Sequence, residues 1–332
     1  MRRLAIIGAG SWGTALSVVL APRFESIRLW VYEADLAGRM ARTRGNDLFL
    51  PGFPLPENVG VTSDIPNALR DAELVLSVMP SHHVRRLYRE MLPHLEPGMS
   101  FVSATKGIES GTLLRMSEVI QEVVGERFAP RVAALSGPTF AREIARGEPA
   151  AVVIASQDRT LAETVQRALS GPAFRLYTND DPAGVELGAA LKNVIAIAAG
   201  ACQGLGLGSN SLAALITRGL AEITRLALAV GGNPKTLAGL AGLGDLVLTC
   251  TGELSRNRGV GIQLAQGRKL ADIVASTRMI AEGIETTSAA VDLAVRRQVE
   301  MPITRQVQAM LQDGKPPREA LRELMERSLK GE

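Results

Sequence analysis

The sequence predicts an α/β unit built on a parallel sheet with crossover helices, followed by an all-helical unit. Three observations carry that expectation. Short apolar runs alternate with helical patterns through the first half of the chain. A glycine-rich turn joins the first run to the first helical pattern. From Pro182 onward the periods become mostly helical, and small residues dominate residues 184–208. The chain has 332 residues, 46% hydrophobic and 21% charged. That length suits two domains, and that balance excludes a disordered chain. Net charge is +3, from 37 basic and 34 acidic residues, too small a surplus for a nucleic-acid surface. Two cysteines, Cys202 and Cys250, cannot build a disulfide framework and read as reduced thiols of a cytoplasmic protein.

Taken in order, the strand candidates are residues 4–7, 28–32, 74–78, 100–104, 131–135 and 151–154. Each is a short run rich in aliphatic or aromatic side chains. Helical patterns occupy residues 14–20, 34–43, 84–92, 113–124 and 140–145, between those strands. The turn-rich stretch Asn179-Asp180-Asp181-Pro182 marks the boundary. The expected division is therefore 1–181 and 182–332. Loops are expected at residues 231–234, 252–261 and 314–317. The uncharged stretch of residues 193–217 is long enough to span a bilayer. Its polar residues and its glycines at 204, 206 and 208 favour a buried helix followed by a glycine-rich loop. The apolar run at the N-terminus is too short for a signal peptide.

Gly8-Ala9-Gly10-Ser11-Trp12-Gly13 matches G-x-G-x-x-G between a strand and a helical segment, the context that gives the pattern meaning. In a Rossmann-type dinucleotide-binding domain Gly8 permits the tight turn and Gly10 lets backbone approach the pyrophosphate. Gly13 allows the helix to pack closely on the sheet. The first helical turn then offers free N–H groups and a positive dipole end to the phosphates. The same letters also fit a glycine-rich turn that holds no ligand. Glu33 lies twenty residues after Gly13, where a carboxylate can accept from both ribose hydroxyls and repels a 2′-phosphate. No arginine follows before Arg39. NAD is therefore expected over NADP, unless Glu33 is simply an exposed residue at a strand end.

Only six lysines occur. Lys106 follows a strand, and Lys192 lies inside the apolar segment 188–196. An ammonium there is costly to desolvate without a partner or a task. Burial lowers its pKa, which suits proton exchange with a substrate hydroxyl. Snorkelling to the surface is the other reading of such a lysine. Asp245, set in Gly242-Leu243-Gly244-Asp245-Leu246, needs a donor, and Lys192 or a substrate hydroxyl would serve. Ser255-Arg256-Asn257 offers a hydroxyl, a guanidinium fork and an amide, a set suited to phosphate and equally to a polar surface loop. His82, His83 and His94, with the two cysteines, give no metal-ligand spacing.

These residues together resemble the soluble bacterial NAD(P)-dependent glycerol-3-phosphate dehydrogenases. The resemblance runs from Gly8 to Glu282. It rests on Gly8-Ala9-Gly10-Ser11-Trp12-Gly13-Thr14-Ala15, Val78-Met79-Pro80-Ser81-His82, Ala104-Thr105-Lys106-Gly107 and Leu135-Ser136-Gly137-Pro138-Thr139-Phe140-Ala141. Further segments are Leu191-Lys192-Asn193-Val194-Ile195-Ala196, Ala241-Gly242-Leu243-Gly244-Asp245-Leu246 with Thr249, and Ser255-Arg256-Asn257. The resemblance implies a dinucleotide-binding domain followed by an all-helical C-terminal domain, in a homodimer. It implies that Lys192 is the proton acceptor. It implies glycerol 3-phosphate contacts at Lys106, Gly137, Thr139, Asp245, Ser255, Arg256 and Asn257. Around the dinucleotide it implies Ser11, Trp12, Tyr32, Lys106, Ala141, Arg256, Ile280 and Glu282. Many relatives carry an arginine or histidine where this chain has Tyr32-Glu33, a departure that supports NAD. The implied activity interconverts dihydroxyacetone phosphate and sn-glycerol 3-phosphate, supplying glycerophospholipid synthesis. Two rivals stay open: a hydroxy-acid dehydrogenase of the same two-domain plan, acting for example on 6-phosphogluconate or 3-hydroxyisobutyrate, and a non-catalytic NADH sensor. No nucleic acid, membrane segment or metal is expected.

Overall fold

The structure is a computed structural model and describes residues 1–277, 281–329 and 331. Its main sheet has eight strands: β1 (Arg3–Ile7), β2 (Ser26–Trp30), β5 (Val59–Thr62), β6 (Leu74–Ser77), β7 (Ser100–Ser103), β8 (Arg131–Ser136), β9 (Ala150–Ala155) and β10 (Phe174–Asn179). A separate hairpin pairs β3 (Gly45–Asn46) with β4 (Leu50–Pro54). The sheet order is β10-β9-β8-β7-β6-β1-β2-β5. The chain winds outward from β1 through β2 to β5, then returns to pair β6 on the other side of β1. That reversal opens a crevice at the carboxyl ends of β1 and β6, where ligands bind in open sheets of this kind.

Both faces of the sheet are covered. Leu4 and Ile6 face one core with Leu16 and Leu20 of the helix Ser11–Leu20. Ala5 and Ile7 face the other, with Leu87, Met91, Val119 and Val123 from the helices Val84–Met91 and Met116–Gly125. Each fully buried aliphatic side chain of this kind contributes about 1.5–3 kcal/mol. Burial on both faces explains why the strands read as unbroken apolar runs rather than as alternating ones.

Several elements differ from the sequence expectation. The sheet is not wholly parallel: β8 and β9 pair antiparallel, and β10 follows β9. The second strand ends at Trp30, so Tyr32 and Glu33 lie beyond it. The residues before Met116 form no helix; Leu113 has φ +63° and its N–H donates to the Glu109 carbonyl in a tight loop. β10 was open to prediction, since its burial alternates at Phe174-Arg175-Leu176-Tyr177 as an edge strand should.

Beyond β10 every described element is helical. The central helix Pro182–Gly204 starts where Asp181 accepts from the Gly184 N–H at 2.8 Å, with proline in its first turn. It is the one helix among the described residues long and apolar enough to cross a membrane, and 94% of that window is buried inside the protein. The uncharged stretch of residues 193–217 is thus two helices, broken before Ser209–Ala229.

Val185 of the central helix meets Ala134, Val153 and Ala155 of the sheet in a small apolar cluster. Glu186, 5% exposed, accepts from Arg115 Nη1 at 2.7 Å and from the Ser117 N–H at 2.8 Å. Burial raises its pKa, against the pull of Arg115 and Ser117. The central helix is therefore tied to the sheet's own helices within two turns of Lys192.

The expected loop at residues 252–261 is mostly helix, Arg256–Ala265. Its glycines belong to a crossing with the central helix. A Cβ on Gly261 would stand 1.9 Å from the Ile197 carbonyl oxygen, and one on Gly200 would stand 1.9 Å from that of Arg258. Two backbones touch there, so the segment after Ser255 is set directly against the helix that carries Lys192.

Candidate active site

The crevice begins at Gly8, whose φ is +119°. A Cβ there would lie 2.6 Å from the Val78 carbonyl oxygen, where the ends of β1 and β6 approach each other. At Gly13 a Cβ would lie 1.9 Å from the Gly8 carbonyl oxygen. Gly13 therefore closes the turn itself, in addition to the helix–sheet packing expected of it. Around Gly10 a Cβ would meet nothing within 4 Å. Open space thus lies before a helix start whose first turn carries no acidic residue and whose leading N–H groups have no helical acceptor. Such a cradle fits a pyrophosphate.

The hairpin β3–β4 is fastened to this loop, which sequence reasoning did not anticipate. Ser11 Oγ donates to the Phe49 carbonyl at 2.7 Å. Asn46, 1% exposed, donates through Nδ2 to the Ala9 carbonyl and to Thr14 Oγ1, both at 2.8 Å. Its Oδ1 accepts from the Phe49 N–H at 2.9 Å. No local pattern announces such a residue. Trp12 packs its ring edge-on against Phe174, 6.5 Å between centroids. Ala141 opens the short helix Ala141–Ala145, which lies against the Ser11–Leu20 helix.

Tyr32 is 64% exposed past the end of β2. Its ring lies nearly parallel to that of His83, with centroids 6.5 Å apart. The Arg86 guanidinium stands 5.8 Å from the Tyr32 centroid. Glu33 is exposed, immediately before the helix Ala34–Thr43, and its side chain makes no cap bond. Arg39 pairs with Asp47 at 3.3 Å instead of turning toward Glu33.

From the crevice the site extends along the strand ends. A Cβ on Gly107 would lie 2.5 Å from Ser81, in the turn after β6. Lys106, beside it, donates from Nζ to Asp245 Oδ2 at 3.0 Å. Lys192 Nζ donates to Asp245 Oδ1. Thr249 Oγ1 donates to the Asp245 carbonyl at 2.6 Å. The carboxylate is wholly buried, and the Lys192 side chain is 5% exposed. Lys192 therefore does not snorkel. A turn with π-helical hydrogen bonding, Leu240–Gly244, delivers Asp245. It is held to the central helix where a Cβ on Gly188 would lie 2.7 Å from the Ala241 carbonyl.

One carboxylate thus holds two ammonium groups. Burial dominates at Lys192 and, with the nearby Lys106 charge, outweighs Asp245 to bring the amine down to about 7. At Lys106 burial also acts downward, but Asp245, the hydrogen bond with Lys192 and the Glu282 charge together hold that amine above its ordinary value. Two like groups in one site are driven apart, so one stays charged while the other can exchange a proton near neutral pH.

Ser255 and Asn257 are placed differently from a free polar loop. Ser255 caps the Arg256–Ala265 helix by accepting from the Arg258 N–H at 3.3 Å. Asn257 donates to Asn193 Oδ1 at 3.0 Å and accepts from the Gly283 N–H at 3.0 Å. Arg256 is exposed at the helix start, its guanidinium within electrostatic reach of Glu282. Glu282 opens the helix Glu282–Arg296, and burial raises its pKa against the pull of Arg256, Lys106 and Lys192. Gly137 has φ +152°, and Thr139 Oγ1 donates to its carbonyl at 3.2 Å. Ile280 lies outside the described residues. His82 Nδ1, 2.6 Å from Glu285 Oε2, links the turn after β6 to the Glu282–Arg296 helix. Among the described residues no three His, Cys, Asp or Glu side chains gather to hold a metal.

Comparison with known proteins bears on both halves of this site. Residues 3–162 match the model of the NAD-dependent glycerol-3-phosphate dehydrogenase N-terminus, and residues 181–322 that of its C-terminus. A glycerol-3-phosphate dehydrogenase [NAD(P)+] of Koribacter versatilis is 62% identical over 329 residues, 98% of either chain. That of Geobacter sulfurreducens is 52% identical, over 99% of this chain and 98% of its own. The crystal structure of glycerol-3-phosphate dehydrogenase from Coxiella burnetii superposes with a TM-score of 0.94 at 40% identity, covering 98% of this chain and 99% of that one.

Proposed function

The chain belongs to the NAD-dependent glycerol-3-phosphate dehydrogenase family, and we propose that Lys192, seated on Asp245, moves the proton in its reaction. The reaction interconverts dihydroxyacetone phosphate and sn-glycerol 3-phosphate with NAD(P)(H). The observation that carries the proton assignment is a buried amine drawn to about 7 and paired with a carboxylate that a second lysine also engages.

Gly8, Gly10, Ser11, Trp12 and Gly13 would hold the pyrophosphate half of the dinucleotide, with Tyr32 and Glu33 at its adenosine end. Ala141, Lys106, Arg256 and Glu282 would border it nearer the substrate. When bound, the nicotinamide supplies or accepts the hydride. In the reducing direction, protonated Lys192 donates a hydrogen bond to the C2 carbonyl oxygen and then gives up that proton as the alcohol forms. In the oxidising direction, neutral Lys192 takes the proton of the C2 hydroxyl. Asp245 fixes the position of the amine and offsets the cost of its charged form. Lys106 keeps its own charge and serves as a stationary cation. Arg256, free at its helix start, meets the phosphate arm, and Ser255 and Asn257 hold that helix start in place. Gly137 and Thr139 form the neighbouring wall.

NAD is preferred over NADP on this reading, because Glu33 is exposed past β2 and Arg39 pairs with Asp47 rather than with an incoming phosphate. A 2′-phosphate there meets the Glu33 carboxylate, while the Arg86 guanidinium lies over the neighbouring Tyr32 ring. The dinucleotide-binding domain spans 1–181 and the helical domain 182–332. The protein works as a cytoplasmic homodimer that supplies glycerol 3-phosphate for glycerophospholipid synthesis. The test is NADH consumption with dihydroxyacetone phosphate, run beside NADPH. Consumption that depends on the phosphorylated ketose, with the higher kcat/KM for NADH, is expected. No consumption with any phosphorylated ketose would overturn the catalytic reading, and a clear NADPH preference would overturn the role of Glu33.

A further inference from the structure

The glycine loop does not stand alone. Three long-range side-chain hydrogen bonds fasten the hairpin Gly45–Pro54 across it, from Ser11 to the Phe49 carbonyl and from Asn46 to Ala9 and Thr14. Asn46 lies 37 residues from Ala9 and 32 from Thr14 in the chain. Its amide is 1% exposed and bonded on both sides, with Nδ2 giving two bonds and Oδ1 taking one from the Phe49 N–H. Thr14, wholly buried, adds a weaker bond from Oγ1 to the same Ala9 carbonyl at 3.3 Å.

The chemistry of the loop explains why this carbonyl needs holding. A dinucleotide pyrophosphate is an anion, and the loop can receive it only if its N–H groups face the open space at Gly10 while its carbonyls face away. Glycine at 8 and 10 leaves the peptide planes between them free to rotate. Nothing in the Ser11–Leu20 helix ladder restrains the Ala9 carbonyl, because it precedes the helix. Asn46 and Thr14 supply the restraint.

We propose that Asn46 is a positioning residue for the dinucleotide: with Thr14 it turns the Ala9 carbonyl into the protein, so that the loop presents only N–H groups to the pyrophosphate. The inference rests on the reading of the crevice as the dinucleotide site. It makes the hairpin part of the cofactor site although Asn46 itself touches no ligand. A residue that only stabilised the hairpin would lower the unfolding temperature and leave cofactor affinity alone.

The experiment titrates NADH into wild type and Asn46→Asp by protein fluorescence, with circular dichroism and a melting curve for each. Aspartate keeps the acceptor for the Phe49 N–H and loses both donations. The expected result is a Kd for NADH raised by about ten- to a hundredfold, the worth of one to two buried hydrogen bonds. In kinetics KM for NADH should rise in step, while kcat at saturating NADH and KM for dihydroxyacetone phosphate stay near wild type. A folded Asn46→Asp with unchanged Kd overturns the inference. Should that variant not fold, Thr14→Val and Thr14→Ser decide. Weaker binding in the valine variant with near-normal binding in the serine variant supports the role, and equal affinities refute it. Amide exchange of wild type with and without NADH gives a reading free of mutation. Joint protection of residues 8–11 and 45–54 is expected, and protection of the loop without the hairpin refutes the coupling. Failure of wild type to bind NADH would instead overturn the dinucleotide reading itself.

Discussion

Replacing Lys192 with methionine isolates the proton-transfer role, because the site can lose that ammonium without being left with an orphaned charge. Asp245 is wholly buried, and a buried carboxylate stripped of its partners costs about 3–5 kcal/mol. Here Lys106 still donates to Oδ2 at 3.0 Å, and the Thr249 hydroxyl stays bonded to the Asp245 backbone carbonyl. Methionine matches the length of the removed chain and carries no charge to desolvate. Unfolding should therefore move by no more than about 1 kcal/mol, which is roughly 2–4 °C in Tm for a domain of this size. Turnover should fall far more. A positioned general acid or base is worth about 10²–10⁴ in rate, or roughly 2.7–5.4 kcal/mol of barrier. The assay follows NADH absorbance with saturating dihydroxyacetone phosphate, with NADH affinity measured separately by fluorescence. A variant that keeps more than about a tenth of wild-type kcat would refute the assignment. A variant that loses NADH binding along with turnover would show that Lys192 serves the fold rather than the reaction.

Three further outcomes follow from the same geometry. Lys192 titrates near 7, so kcat/KM for dihydroxyacetone phosphate reduction, which needs the protonated amine, should fall as pH rises through about 7. For glycerol 3-phosphate oxidation, which needs the neutral amine, it should rise over the same range; matching profiles in both directions would contradict the role. Glu33→Ser removes the carboxylate that repels a 2′-phosphate and should raise kcat/KM with NADPH by about tenfold, the equivalent of ~1.4 kcal/mol; an unchanged cofactor ratio would clear Glu33 of that part. Gly200→Ala forces a methyl group against the Arg258 carbonyl, 1.9 Å from an ideal Cβ, and should cost about 1–3 kcal/mol of stability; a melting temperature equal to wild type would show that the helix crossing can yield.

The amino-acid sequence alone determined the features that are written locally. The turn Gly8–Gly13 is a contiguous pattern between a strand and a helix; the positive φ at Gly8 and the Gly8 carbonyl against Gly13 demand glycine at both within the turn itself. Lys192 stood out because a charge inside an apolar helix is costly, and Asp245 because an acid in a glycine-apolar turn needs a donor. The sequence also placed the change from sheet to helices at the turn before Pro182. Only the tertiary structure decided who meets whom. It joined Lys106 to Asp245 across 139 residues and Lys192 to Asp245 across 53, and so gave two lysines opposite pKa shifts that no local pattern distinguishes. It reversed β9 against β8, brought His83 over Tyr32, and set Asn257 between Asn193 and the Gly283 N–H. It also made Asn46 part of the dinucleotide loop's surroundings. The reason is physical. Backbone period and turn chemistry act over a few neighbouring residues and leave their mark there, whereas burial and charge coupling depend on what the folded chain brings alongside.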